Sequence, residues 1–373
     1  MRIAVDARVL GLAELRGIGS TLCELLAAWP DPADVFILIS QRPIPSDRLQ
    51  SPARLENVVV PPMAGYRLRV WDWLALPRAV KGLGPDLFWG PANQAYPLAG
   101  VPQVTTVHDT LLQERVRHAG FSERLFHNTV SPWWVRRHAR QVITVSQFAK
   151  GRIQAVFGCK ANRVRVIANG AALPDRPFPD KTAALAHVQE QGLTRQPYVL
   201  ALGAESPWKN TEGVLRAFAL AAPDMPQWDF LVAGVQARAR AGFEALGREL
   251  GLGDRLRLLP FVSRRDRDAL YQGAAVFVYP SLFEGFGLPP LEAMALETPV
   301  VASGAASIPE VVGQAARLVD AADPAALAQG ILDVLGSPEL ARRLVVAGLA
   351  NIRQYRWPDA AVAHRALFQE CLS

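Results

Sequence analysis

The sequence predicts an α/β protein made of two doubly wound domains, each built around a parallel sheet. Short apolar segments rich in Val and Ile alternate with longer amphipathic segments along the chain, which is the pattern of repeated βα units. The alternation is interrupted at residues 171–181, where three prolines stand among charges of both signs. With 373 residues, the chain also exceeds the usual size of a single core. We therefore expect a linker that begins near residue 171, with a domain on either side of it.

The first domain, residues 1–170, contains five strand candidates and two clear helix candidates. The strands are short β-branched runs at residues 2–5, 35–40, 104–107, 141–145 and 164–167. The helices are amphipathic stretches at residues 21–29 and 122–139. Pro132 should kink or divide the second helix, because proline lacks the N–H that an internal helical hydrogen bond needs.

The second domain repeats this pattern after the linker. Its strand candidates are residues 198–202, 229–233, 256–259, 275–279 and 299–302. Its helix candidates are residues 210–220, 239–250, 264–273 and 289–296. Doubly wound sheets bind ligands beyond the carboxyl ends of their strands, so we expect a cleft between two such edges.

The composition excludes several classes of protein. Half of the residues are hydrophobic and a fifth are charged, which excludes a mainly disordered chain. Three widely spaced cysteines, Cys23, Cys159 and Cys371, fit neither a disulfide framework nor a structural zinc site. The first residues lack the pattern of a signal peptide, and prolines interrupt the longest uncharged run, residues 87–107. We expect a cytoplasmic protein.

The charge is concentrated in the first domain. Residues 1–170 hold 21 Lys and Arg against 12 Asp and Glu, whereas the remainder holds 19 against 22. A basic half suggests an anionic partner, which could be a phosphorylated substrate, an anionic lipid or a nucleic acid, although a solvated basic face explains the same count. Aromatic and basic residues mix at 131–140 and 66–73, which suits a membrane surface unless Trp133 and Trp134 belong to the core. We expect no nucleic acid, because no recognition motif accompanies the charge.

The most specific motif follows the strand candidate 275–279. Gly285 and Gly287 allow backbone conformations that other residues avoid and let a ligand approach closely. Two prolines at 289 and 290 fit the first turn of a helix, whose free N–H groups form an anion site. Glu284 and Glu292 lie eight residues apart on either side of this turn, so both can accept hydrogen bonds from sugar hydroxyls in one pocket. The alternative is that they serve as a cap and a solvated helix residue.

At these residues the chain resembles retaining glycosyltransferase family 4. Matching segments occur in order at residues 16–19, 106–109, 142–146, 166–170, 209–210 and 261–319, so the resemblance covers nearly the whole chain. It implies the GT-B architecture, in which two Rossmann-like domains face a cleft and the second, residues 171–357, holds most of the donor nucleotide. It also implies that residues 358–373 cross back onto the first domain, and that neither a metal nor a resident cofactor is needed.

The resemblance assigns a role to individual residues. Glu284 would bind hydroxyls of the donor sugar, and Glu292 the ribose diol. Lys209 would neutralise the departing diphosphate, which carries the charge released by bond cleavage. His108 would contact the transferred sugar near its anomeric carbon, although a lone histidine is otherwise more often a packed core residue. The remaining donor-binding positions are backbone sites at Gly17, Gly19, Gly285, Phe286, Gly287 and Leu288.

One departure from the family pattern concerns the diphosphate. Family members usually add an Arg near the Lys, at positions that are Ala204 and Trp208 here. A charged hydrogen bond contributes about 1.5–3 kcal/mol, so its loss should weaken binding of the diphosphate unless another cation substitutes. By position, Arg16 and Arg264 are the candidates.

These observations predict a retaining, metal-independent glycosyltransferase. The motifs most resemble mannosyltransferases and rhamnosyltransferases of surface polysaccharide assembly, which favours mannose or a related deoxyhexose from a GDP-sugar. The acceptor would be a polysaccharide or a lipid-linked glycan, reached by a protein that is peripheral on the inner face of the membrane. Two alternatives remain open: a nucleotide-sugar epimerase or phosphorylase on the same architecture, and a non-catalytic nucleotide-sugar-binding protein.

Overall fold

A computed structural model describes residues 1–12, 15, 17–62, 70–115, 125–171 and 178–373. The chain forms two compact units: Met1–Gly170 with Tyr355–Ser373, and Ala171–Gln354. The chain passes from the first unit to the second after residue 170, where the boundary was predicted. It returns to the first unit after residue 354, three residues before the predicted boundary at residue 357. Arg16, most of the predicted linker, residues 122–124 of the predicted helix 122–139 and residues 66–69 of the aromatic-basic segment 66–73 lie outside the described residues.

The first unit contains a parallel sheet of seven strands. They are β1 (Arg2–Asp6), β2 (Val35–Ser40), β3 (Arg54–Val59), β4 (Leu87–Gly90), β5 (Gln103–Thr106), β6 (Gln141–Thr144) and β7 (Val164–Val166). Their order in the sheet is β3-β2-β1-β4-β5-β6-β7, and every pair is parallel. The strand order reverses between β1 and β4, which is where doubly wound sheets open a crevice for ligands.

Helices cover this sheet, and one of them comes from the end of the chain. They are α1 (Gly17–Ala27), α2 (Leu76–Leu83), α3 (Leu111–Arg115), α4 (Ser131–His138), α5 (Gln147–Phe157) and, after the second unit, α14 (Trp357–Leu372). Trp357, Leu367 and Phe368 of α14 share a core with Ile3 and Val5 of β1. Burial of this apolar face fixes α14 on the first unit.

The second unit contains a parallel sheet of six strands. They are β8 (Tyr198–Leu202), β9 (Asp229–Ala233), β10 (Leu256–Leu258), β11 (Val276–Tyr279), β12 (Val300–Ser303) and β13 (Arg317–Val319), in the order β10-β9-β8-β11-β12-β13. Its helices are α6 (Lys181–Glu190), α7 (Thr211–Ala221), α8 (Ala237–Glu249), α9 (Arg264–Gly273), α10 (Leu288–Ala295), α11 (Ile308–Val312), α12 (Pro324–Gly336) and α13 (Pro338–Asn351). The order reverses between β8 and β11, so the loops after these two strands share one crevice.

The predicted fold class, two Rossmann-like parallel-sheet domains, is confirmed. All ten predicted strands are present with ends within one residue, whereas β3, β4 and β13 were missed. β3 lacks an apolar run because Arg54, Glu56 and Asn57 interrupt it, and β4 contains no β-branched residue. β13 has only three residues, the first of which is Arg317. Near Pro132 the helix does not break; a π-helical segment, Phe126–Val130, precedes α4 and leads into it.

No helix in the described residues is long and apolar enough to span a membrane.

Candidate functional site

The Gly-rich turn lies at the carboxyl edge of the second sheet. It joins β11, which ends at Tyr279, to α10, which begins at Leu288. Gly287 has a φ of +120°, a conformation that disfavours any side chain, so glycine is required there. Pro289 and Pro290 lie in the first turn of α10, and the N-cap residue Gly287 makes no side-chain capping hydrogen bond. The turn therefore has the backbone geometry that the sequence predicted for an anion site.

Lys209 and Glu284 meet at this edge. Lys209 ends a 3₁₀ turn, Pro207–Lys209, in the loop between β8 and α7. The Leu282 N–H donates to the Trp208 carbonyl at 2.7 Å, which ties this turn to the loop after β11. As a result, Lys209 Nζ lies 2.6 Å from Glu284 Oε1, although 75 residues separate them in the sequence.

Buried polar groups support the Glu284 loop. The fully buried Ser307 hydroxyl lies 2.9 Å from the carbonyl oxygen of Glu284 and 2.7 Å from that of Phe286. Tyr279 lies beneath, with its ring centroid 5.7 Å from Lys209 Nζ. Burial, and then the Glu284 charge, raise the pKa of Tyr279 well above its ordinary value, so the phenol stays neutral. Ser307 therefore holds the backbone carbonyl groups of Glu284 and Phe286 in place, and the Tyr279 ring lies next to Lys209.

Glu292 has different partners from Glu284. It lies in α10 and accepts a hydrogen bond from the Tyr271 hydroxyl at 3.2 Å. Arg267 Nη1 lies 4.0 Å from its other oxygen, Oε1. Arg267 was not predicted from the sequence. The one feature that could have indicated it is its position about one helical turn after Arg264. Arg264 itself is exposed and forms no ion pair within the part of the chain that the structure describes.

The loop after β8 contains both positions at which family members carry an Arg, Ala204 and Trp208. Ala204 occupies one of the two positions, and its N–H donates to the Thr211 hydroxyl at 3.0 Å. That hydroxyl donates back to the Ala204 carbonyl at 2.8 Å, which closes the loop. Among the described residues, the cation next to Glu284 is Lys209, and Arg267 lies near Glu292.

His108, Gly17 and Gly19 lie in the first unit. His108 follows β5; its N–H donates to Asn93 Oδ1 at 2.7 Å, and its Nε2 lies 2.9 Å from the Pro91 carbonyl oxygen. Burial lowers the pKa of His108, so the ring is neutral near pH 7. Gly17 begins α1 and is exposed. A Cβ on Gly19 would lie 2.8 Å from Leu15 Cδ1 and 3.3 Å from the Val9 carbonyl oxygen, so Gly19 lies close to both neighbours.

Within the described ranges, no group of three or more His, Cys, Asp or Glu side chains is arranged to hold a metal ion. The three cysteines are free.

Two family matches together cover most of the chain. Residues 15–173 match the family described as Glycosyltransferase Family 4, and residues 186–349 match Glycosyl transferases group 1. The O-antigen chain mannosyltransferase B of Escherichia coli is 31% identical over 273 residues, which cover 69% of this chain and 67% of the relative. The MMP alpha-(1->4)-mannosyltransferase of Mycolicibacterium hassiacum is 29% identical over 286 residues, which cover 74% and 66%. The aligned part thus spans about two thirds of each relative.

Solved structures show the same fold. The sucrose-phosphate synthase from Thermosynechococcus elongatus has a TM-score of 0.77 and 22% identity, covering 99% of this chain and 98% of that one. A glycosyltransferase from Rickettsia africae has a TM-score of 0.75 and 15% identity, covering 100% and 98%. The fold class is therefore GT-B.

Proposed function

Because this chain belongs to glycosyltransferase family 4 and is a glycosyltransferase, we propose that it transfers mannose or a related deoxyhexose from a GDP-sugar to a polysaccharide or lipid-linked acceptor. The support for the sugar is the similarity to the Escherichia coli and Mycolicibacterium hassiacum mannosyltransferases. The proposed reaction retains the anomeric configuration and needs no metal ion.

The ion pair between Lys209 and Glu284 carries this proposal. Cleavage of the bond between the anomeric carbon and the diphosphate leaves negative charge on phosphate, which a fixed ammonium and the N–H groups at the start of α10 can stabilise. Glu284 can accept hydrogen bonds from hydroxyls of the sugar. Donor binding would therefore break the ion pair: the Lys209 ammonium would contact a phosphate, and the Glu284 carboxylate would contact sugar hydroxyls.

The bond changes follow from retention. The acceptor oxygen forms its bond to the anomeric carbon on the face from which the diphosphate oxygen departs. The acceptor proton passes to that departing oxygen, which is the nearest developing base. In this scheme Lys209 stabilises charge and transfers no proton, and Glu284 positions the sugar. Glu292, oriented by Tyr271 and Arg267, would hold the ribose diol.

The first unit has a surface suited to an anionic membrane. Trp73 and Trp133 are about half-exposed, and the rings of Trp73 and Trp134 lie 5.7 Å apart. Arg136 and Arg137 are exposed on the same helix as Trp133. We propose that this aromatic and basic surface binds the inner face of the membrane, where a lipid-linked acceptor would lie. Co-sedimentation with anionic vesicles should fall in Trp73→Ala and Trp133→Ala but not in the control Leu220→Ala, an exposed residue of the second unit.

The activity test offers purified protein GDP-mannose, GDP-rhamnose, UDP-glucose and dTDP-rhamnose with a lipid-linked acceptor and a chelator. We expect glycosylation from a GDP-sugar, and the anomeric proton coupling of the product should show retention. Transfer only from UDP- or dTDP-sugars would contradict the donor, and loss of activity on chelation would contradict metal independence. Product formed without acceptor would instead indicate an epimerase or phosphorylase.

A further inference from the structure

A small cavity lies at the carboxyl edge of the first sheet, between α1 and α14. Its volume is about 10 Å³, which is room for one water molecule. Most of its lining is apolar and comes from α1 and the sheet. Five polar residues also line it: Thr21, Thr106, His108, Asn169 and His364. A cavity of this size binds water only if it supplies two to four polar partners, so the state of these side chains decides what it can hold.

His364 brings a hydrogen-bond acceptor into the cavity from α14. Its side chain is only 3% exposed, and its Nδ1 lies 2.8 Å from the Ala360 carbonyl oxygen. A carbonyl can only accept, so Nδ1 carries the proton and Nε2 presents a lone pair. Burial and the nearby His108 lower the pKa of His364 to about 4, so the ring is neutral near pH 7. Nε2 has no hydrogen-bond partner among the described residues.

Three other polar residues of the lining supply further hydrogen-bond acceptors and donors. His108 is neutral and holds its proton on Nε2, next to the Pro91 carbonyl, so its Nδ1 is a second acceptor. Thr21 and Asn169 are 6% and 7% exposed, and their side chains form no hydrogen bond with any described residue. Their hydroxyl and amide groups can donate. The hydroxyl of the fifth residue, Thr106, already accepts a hydrogen bond from Trp89 Nε1 at 2.9 Å. The other four residues supply two acceptors and two donors, and three of these four side chains are more than nine-tenths buried.

We propose that this cavity is a binding site for one ordered water molecule, which donates to His364 and His108 and accepts from Thr21 and Asn169. Water matches the set because it donates two hydrogen bonds and accepts two, whereas a sugar hydroxyl has a single proton and can serve only one imidazole. His364 is then a positioning residue that holds the His108 ring through the water. The water site stands by itself, and its effect on catalysis rests on the proposed function.

The structural test is a high-resolution crystal structure of the free protein and of His364→Leu and His364→Gln. We expect water density within hydrogen-bonding distance of His364 Nε2 and His108 Nδ1 in the wild type, and its loss in His364→Leu. Glutamine reaches the same point with an amide oxygen, so His364→Gln should keep the water. A dry cavity in the wild type would overturn the proposal, as would a sugar hydroxyl in the cavity of crystals soaked with GDP-mannose.

The kinetic test separates positioning from folding. His364→Leu should lower kcat by about three- to tenfold, the effect of one hydrogen bond, with the KM for the donor unchanged. His364→Gln should restore kcat, and Val362→Ala, an exposed change on the same helix, is the matched control. Equal loss in His364→Leu and His364→Gln, or none in either, would contradict positioning. If no sugar transfer is found at all, the crystal structures still decide the water site, so the two failures are distinguishable.

Discussion

The Lys209 ammonium and the Glu284 carboxylate form an ion pair at 2.6 Å, on loops that follow the two strands at the reversal of the second sheet. The Glu284 side chain is 16% exposed and that of Lys209 is 32% exposed, so the carboxylate depends more than the ammonium on a nearby charge partner. This relationship joins the proposed phosphate-binding and sugar-binding groups in one place.

Lys209→Met should lower turnover by about one to two orders of magnitude, since charged hydrogen bonding to the departing diphosphate is worth about 1.5–3 kcal/mol. Steady-state kinetics with saturating donor measure this. Lys160→Met, an exposed lysine of the first unit, serves as the control and should match the wild type. Unchanged turnover in Lys209→Met would mean that the diphosphate is held by other groups.

Arg267→Met should raise the dissociation constant for GDP about two- to fivefold and leave kcat nearly unchanged. Arg267 contacts Glu292 at 4.0 Å, and a partly exposed pair of this kind contributes at most about 1 kcal/mol. Because the proposed contact of Glu292 with the ribose would be the same in the ground and transition states, its weakening should appear in binding and not in turnover. Calorimetry should show partial rescue in Arg267→Lys and no effect in Arg264→Met. A fall in kcat without a change in affinity would contradict the assignment.

Most of the second unit could be predicted because its strands are apolar runs bounded by turn residues, and because Gly287 and two prolines mark the start of α10. The partners of the motif could not be predicted. Arg267 lies in α9 and Ser307 in the loop before α11. Both reach the site only because these segments pack against it, and the sequence pattern does not show contacts between distant segments. His364 was missed for the same reason, since its neighbours lie in distant parts of the chain.

His108→Ala should lower kcat strongly while the affinity for GDP stays within about twofold, because a contact made to the transferred sugar matters mainly in the transition state. Calorimetry and transfer kinetics measure the two effects. His138→Ala, on α4, provides a histidine control of the first unit. If GDP affinity and folding stability both collapse in His108→Ala, the residue has a structural role.

Asp34 should make the stability of the first unit depend on acid pH. Burial opposes its charge, but hydrogen bonds from Arg365 at 2.7 Å and from Trp29 at 2.9 Å lower its pKa. A carboxylate with a lowered pKa contributes stability above its unfolded pKa of about 4, and that stability is lost as the pH falls through the folded value.

Asp34→Asn should therefore reduce the free energy of unfolding by about 1.5–3 kcal/mol at pH 7 and by less below pH 4. Denaturant unfolding across this pH range measures the difference. Asp359→Asn, at an exposed position of α14, should change little at any pH. An equal effect of Asp34→Asn at pH 7 and at pH 3 would show that Asp34 does not carry the pH dependence.

In the proposed reaction the two glutamates after β11 have different roles, Glu284 at the sugar and Glu292 at the ribose. The most direct measurement is GDP affinity by calorimetry, paired with transfer kinetics, for Glu284→Gln and Glu292→Gln, with circular dichroism to confirm folding. We expect Glu284→Gln to lose about two orders of magnitude in turnover and to keep its GDP affinity, because GDP lacks the sugar. Glu292→Gln should weaken GDP binding about five- to tenfold or more, the cost of an imperfectly paired ribose hydroxyl. Loss of GDP binding in Glu284→Gln with retention in Glu292→Gln would contradict the assignment.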